Sequence, residues 1–286
     1  MIFSTNSLRA VSVSGLACVL LLTACGGSYD SFDGIAKGFA EGISCGLTNC
    51  KESAELSPGE IAIDVNVTQK MNGISVTATL HKSLNVFTAV RLSHTDSMTV
   101  SLNGRNIPLS DISQGERLKF SGLLADNSTQ ALANIQFQRG NEYFPASVTL
   151  PAPFSILSPS GPVNLNRSAG KLRVQLSRDV SNGVYISLSL QCRRTDGSSF
   201  TDITDFNPKL DNDAYRIDTA ELDSVLNERS RTKNNQKPET AAVANCDIDM
   251  DWTNYVRGNV SNALNKYSSV RGQYAVTQRV YYDARA

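Results

Sequence analysis

Three groups of aspartates are the side chains of this chain best placed to do chemistry. Asp247, Asp249 and Asp251 alternate with Ile248 and Met250, and on a β-strand alternate side chains share one face. Carboxylate oxygens suit a hard cation such as calcium. Alternate residues of a strand stand about 7 Å apart, so three in a row close around one ion only if a loop adds ligands from the side. The same alternation describes the wet face of a half-buried strand, which is the plainer reading. Asp211-Asn212-Asp213 and the pair Asp202 and Asp205 are comparable, each without the glycine and terminal glutamate of a calcium loop. The two histidines are His81, which continues the outward phase of a strand, and His94, in a Ser-His-Thr-Asp turn. Both are expected at the surface. No catalytic residue, metal ligand or cofactor is assigned, and the chain reads as a non-enzyme. Two carboxylates suffice for a glycosidase, so a β-rich hydrolase remains the less favoured alternative.

The elements that must hold these residues read as β-strands. From about Glu60 to Leu150 apolar residues recur with period two: Ile61, Ile63, Val65 and Val67, then, after Met71-Asn72-Gly73, Ile74, Val76, Ala78 and Leu80. Further alternation covers Phe87 to Leu92 and Met98 to Leu102. Asn103-Gly104, followed by Ile107 and Leu109, is the strongest short-range hairpin signal. Leu118 with Phe120, Ile135 with Phe137, and Val148 with Leu150 complete about seven strands in roughly ninety residues, the spacing of an antiparallel sandwich.

Pro151-Ala152-Pro153 cannot sit in a central strand and marks a joint between domains. Strands are expected beyond it at Lys171 to Leu176, Val184 to Cys192, Cys246 to Trp252 and Gln273 to Tyr282, with a short helix over Asp218 to Asn227 and a polar loop from Asn227 to Thr240. The expected fold is therefore mainly β, two tandem antiparallel β-sandwich domains at 59–150 and 154–286. Cys192 and Cys246, both phased inward beside the only tryptophan, Trp252, loosely resemble the core of the immunoglobulin fold. The order differs from that family, because Trp252 follows the second cysteine.

The N-terminus carries an address. Arg9 is the only charge before an apolar run from Ala10 to Leu22, which ends in Leu22-Thr23-Ala24-Cys25. A basic residue, a short apolar core and a small-residue cleavage site make residues 1–24 a signal peptide, too short for a transmembrane span. The ending resembles the lipobox of bacterial lipoproteins. That resemblance implies that Cys25 becomes the acylated first residue. It also implies transfer to the outer membrane, because Gly26 and Gly27 follow the cysteine where an aspartate would retain the protein in the inner membrane. The several acyl chains of such lipoproteins make detachment negligible. Residues 25–58 are then a lipidated tether, a short amphipathic helix with Phe32, Ile35, Ala36, Phe39, Ala40 and Ile43 on one face, and a small loop closed by cysteines.

With Cys18 removed in the signal and Cys25 lipidated, Cys45, Cys50, Cys192 and Cys246 remain. An even number in an exported chain favours disulfides over a zinc site. Three pairings are open, and proximity favours Cys45 with Cys50 and Cys192 with Cys246. Basic and acidic residues number 27 each over the whole chain, so no strong field draws nucleic acid. The expected partners are the membrane, through lipid on Cys25, and an envelope or surface protein. The expected function is a structural or protein-interaction module of the bacterial envelope. The alternative is carbohydrate binding or adhesion, using exposed tyrosines such as Tyr281 and Tyr282.

Overall fold

The fold comes from a computed structural model that describes residues 50–82, 85–112, 118–180 and 184–285, with the backbone alone at 85–87. The expected signal peptide, Cys25, Cys45 and the expected helix at 32–43 lie outside the described residues. In chain order the strands are β1 (Cys50–Glu52), β2 (Ile61–Lys70), β3 (Gly73–Lys82), β4 (Asn85–Arg91), β5 (Asp96–Leu102), β6 (Arg105–Pro108), β7 (Ser110–Asp111), β8 (Phe120–Leu124), β9 (Leu132–Arg139) and β10 (Glu142–Thr149). They continue as β11 (Ile156–Ser158), β12 (Val163–Asn166), β13 (Lys171–Leu176), β14 (Tyr185–Arg194), β15 (Ser199–Phe206), β16 (Lys209–Asp211) and β17 (Ala214–Asp218). Helix α1 (Thr219–Thr232) precedes β18 (Val243–Arg257), β19 (Asn259–Val260) and β20 (Ser269–Asp283).

Eleven strands form one mixed sheet in the order β1-β4-β3-β2-β20-β18-β14-β15, with β8 added on β3, β7 on β8 and β12 on β20. A five-stranded sheet runs β19-β10-β9-β5-β6, and a four-stranded sheet runs β11-β13-β17-β16. The spine of the long sheet is the antiparallel pair β18 and β20, 15 residues each, in register from Asn245 opposite Asp283 to Arg257 opposite Arg271. On the other edge of β20, β2 runs parallel to its first half and β12 parallel to its end. Hairpins close where the sequence supplies left-handed residues: Asn103 has φ 51° and Gly104 φ 76° between β5 and β6.

Alternation decides which face is inside. Cys246, Ile248, Met250 and Trp252 of β18 are buried, and Asp247, Asp249 and Asp251 lie on the opposite face. The inner face covers two cores. In the first, Ile63, Val65, Val67 and Val76 pack with Met98, Val100, Ile135, Phe137 and Val148 of the five-stranded sheet. In the second, Ile186, Leu188, Ile248 and Trp252 pack with Val174, Tyr215 and Ile217 of the four-stranded sheet and with Leu222 and Leu226 of α1.

The protein is mainly β, but the two expected sandwiches share one sheet instead of standing in tandem. β20 carries Val270 into the first core and Val280 and Tyr282 into the second. Val256, Val260 and Leu264, beyond the expected joint, also pack in the first core. The pairing that does this sets Asp64 beside Ser269, a separation that leaves no local trace in the sequence. The parallel pairs of β20 likewise depart from an all-antiparallel plan.

Two local expectations change as well. Helix α1 extends to Thr232, so the first part of the expected polar loop is helical. Its polar residues include a buried contact, in which the Arg194 guanidinium donates to Ser230 Oγ at 2.8 Å and to the Ser230 carbonyl at 3.0 Å. Buried charge needs such partners. Cys192 and Cys246 are disulfide-bonded as directly opposed residues of β14 and β18, so the link lies within one sheet, where the immunoglobulin resemblance would place it between two. Closing a loop of that 54-residue separation contributes about 4 kcal/mol in the chain-entropy account. Cys50 is also disulfide-bonded, with its partner outside the described residues.

Candidate ligand-binding face

The outward face of the long sheet is laid out in cross-strand rows. One row aligns Thr201, Gln191, Asp247 and Tyr281. The next aligns Ile203, Ser189, Asp249 and Arg279, and the next Asp205, Ser187, Asp251 and Thr277. Further along, Tyr255 and Gln273 stand beside Thr68, and Arg257 and Arg271 beside Asn66. Neighbouring strands are about 4.8 Å apart and same-face residues about 7 Å apart along each strand, so the rows form a grid of polar side chains. Two open grooves run over it. One, of about 650 Å³, lies over the Tyr281 and Arg279 rows. The other, of about 720 Å³, extends from Asp205 and Asp251 to Arg257 and Arg271.

The three aspartates of β18 are brought to this face, where a cation of β20 and one of β2 meet two of them. Asp249 accepts a hydrogen bond from Arg279 Nε at 3.0 Å. Asp251 lies 2.6 Å from Lys70 Nζ and accepts the Thr277 hydroxyl. Asp247 sits between Gln191 and Tyr281. Among the described residues no three His, Cys, Asp or Glu side chains converge as metal ligands. Asp211 and Asp213 flank the β16–β17 turn, 3.9 Å from Arg216 and 3.7 Å from Arg173. Exposed pairs of this kind contribute about 0–1 kcal/mol each.

Asp202 is different. Its side chain is only 7 % exposed and is paired with Arg229 and Lys233. Burial alone would raise its pKa, but hydrogen bonds from Arg229 and Lys233 outweigh it and hold the carboxyl below the ordinary 3.8. The folded state therefore binds this proton less readily than the unfolded chain. Its stabilisation is complete above the unfolded value and is lost as pH falls through the lower folded one. Asp202→Asn is expected to cost about 2 kcal/mol at pH 7 by removing a charge that two cations face. Urea unfolding at pH 7 and pH 3 checks this, since the gap between variant and wild type should narrow at the lower pH.

The surface expectations divide. His94 is exposed in its turn, whereas His81 is half-buried, its Nδ1 3.6 Å from Asp64. Tyr281 is half-exposed at the edge of the first groove. Tyr282 is buried and donates a hydrogen bond to Asp223 at 2.7 Å; burial, with that bond, pushes its phenol up to about 12. Adjacent residues of a strand point to opposite faces, so the two tyrosines cannot act as one exposed pair. Ile203, 69 % exposed beside Ser189, and the facing Arg257 and Arg271 are surface features that alternation alone does not single out. Their significance depends on which strand lies next to which. One stretch, Gly42-Ile43-Ser44-Cys45-Gly46, fits the Gly-x-Ser-x-Gly pattern of a nucleophile elbow, and it lies outside the described residues. Among the described residues no helix is long and apolar enough to cross a membrane.

No protein-family model matches the chain, and no curated protein matches it. Among solved structures it is similar to one titled "Crystal structure of CBD12 from CALX1.2", at 7% identity over 72% of this chain and 84% of that one, with a TM-score of 0.19. A likeness of that size carries no argument about function.

Proposed function

We propose that this protein is a non-enzymatic module of the bacterial envelope, tethered to the outer membrane by lipid on Cys25, with the outward face of its long sheet as the binding surface. The observation that carries the binding half is the mostly polar grid of side chains over β15, β14, β18, β20 and β2, with two open grooves on it. Its side chains stand on paired strands in fixed register, so they are held ready for a partner without ordering a loop. The lipobox-like Leu22-Thr23-Ala24-Cys25 supports the tether.

The tether is tested by Cys25→Ala, which is expected to move the protein from the membrane to the soluble fraction. Unchanged sedimentation with membranes would remove the anchor from the proposal. The face is tested by maleimide labelling of Ser189→Cys in intact envelopes and in extracted protein. Labelling should be slowed in the envelope, while Leu210→Cys, on the four-stranded sheet and 65% exposed in the wild type, labels equally in both. Equal labelling at both positions would mean that nothing covers the face.

A further inference from the structure

Where β18 and β20 end their register, Arg257 and Arg271 stand directly opposite each other on the outward face, both exposed. Like charges set opposite in an antiparallel pair repel and destabilise it. Elsewhere on this face charges are matched: Asp249 of β18 with Arg279 of β20, and Asp251 of β18 with Lys70 of β2. Neither the Arg257 nor the Arg271 guanidinium makes an ion pair or hydrogen bond among the described residues. A local rule broken without compensation marks a position kept for something other than stability.

The backbone beneath the pair is tightly held. Gly258 and Gly272, on the inward phase beside the two arginines, lie against β10: a Cβ on Gly258 would sit 2.1 Å from the Ser147 carbonyl, and one on Gly272 2.9 Å from Val148. The backbone that carries the two guanidiniums is thus fixed at a crossing of two sheets.

The groove running from this pair is lined by groups that match hydroxyls. Thr68 donates to Gln273 Oε1 at 2.7 Å, and Gln273 Nε2 donates to the Tyr185 hydroxyl at 2.8 Å, a relay with further lone pairs and protons to offer. Asn66 flanks Arg271 in the same row. Tyr185 and Tyr255 meet edge to face at 6.1 Å along one wall. The opposite end carries Asp205, and Asp251 already paired with Lys70. An anion is therefore favoured at the arginine end alone.

The geometry points to a subsite for an acidic saccharide, whose sugar carboxylate is clamped between Arg257 and Arg271 and whose hydroxyls meet Gln273, Asn66 and Tyr185. Paired guanidiniums recognise carboxylates by parallel N–H donors. An acidic peptide would need apolar anchors, whereas this groove offers hydroxyls and amides. The inference rests on the outward face being the binding surface and names the ligand class of its second groove.

The test is calorimetric titration of the full-length protein in detergent with trigalacturonate, with its fully methyl-esterified form and with inorganic phosphate. Trigalacturonate is expected to bind at least ten-fold more tightly than either of the others. Arg257→Ala and Arg271→Ala should each weaken it about ten-fold, Arg271→Lys should weaken it less, and Arg173→Ala on the four-stranded sheet should leave it unchanged. Both arginines are exposed, so melting curves should stay close to wild type. No binding of trigalacturonate, equal binding of the ester or of phosphate, or full binding by both alanine variants would overturn the assignment. If it fails while Ser189→Cys is still shielded in envelopes, the ligand class is wrong and the face stands.

Discussion

Gly258→Ala is expected to destabilise the protein by about 3 kcal/mol or more, a larger effect than a single methyl normally has. Gly258 is the corner at which the chain leaves the long sheet: its N–H still donates to the Val270 carbonyl at 2.9 Å, while Asn259 and Val260 already pair with Ser147 and Ala146 of β10. A Cβ there would lie 2.1 Å from the Ser147 carbonyl oxygen and 2.7 Å from Val148 Cβ. The first of these neighbours is backbone, fixed by the β9–β10 ladder, so no side-chain rotation relieves the clash. Gly272→Ala should cost less, because its nearest neighbour is the Val148 methyl at 2.9 Å, with the Thr149 carbonyl at 3.2 Å. Urea denaturation followed by circular dichroism should rank wild type above Gly272→Ala and Gly272→Ala above Gly258→Ala. Equal stabilities for all three would mean that β10 does not approach β18 and β20 so closely.

Trp252→Ala should cost about 4 kcal/mol. Trp252 is fully buried in the second core, stands between Ile186 and Val276 in its cross-strand row, and meets Tyr215 edge to face at 5.8 Å. Truncation leaves a cavity that strands paired on both sides cannot close. Trp252→Phe should be much milder. It keeps an aromatic ring against Tyr215 and removes an indole N–H that has no hydrogen-bond partner among the described residues, offsetting part of the lost volume. If the phenylalanine variant is as unstable as the alanine one, the core depends on the indole in a way these contacts do not explain.

The strand phase was legible, because half-buried strands write it into the chain: Ile61 to Val67 and Cys246 to Trp252 point inward as their alternation requires. The Asn103-Gly104 hairpin was legible because its turn needs those residue types. Of the three pairings open in the sequence, the one that proximity favoured for Cys192, with Cys246, is the one formed, and both cysteines point inward as their phase requires. What alternation cannot convey is which distant strand lies alongside. β2 beside β20, the sharing of one sheet by two cores, and the meeting of Arg257 with Arg271 all depend on long-range register. The helical stretch from Glu228 to Thr232 read as loop because its residues are polar, yet Arg194 comes to Ser230 from another strand to satisfy a buried charge. Tyr282 read as exposed only when the strand's own period was set aside.

The proposed binding role requires the outward face of the long sheet to be the surface that meets the envelope. Photocrosslinking in living cells tests this most directly, with a photoreactive residue placed at Ile203 on that face and, separately, at Leu210 on the four-stranded sheet. Adducts of higher mass from position 203, with few or none from position 210, are the predicted result. Adducts from position 210 alone, or none from either site in membrane-associated protein, would contradict it.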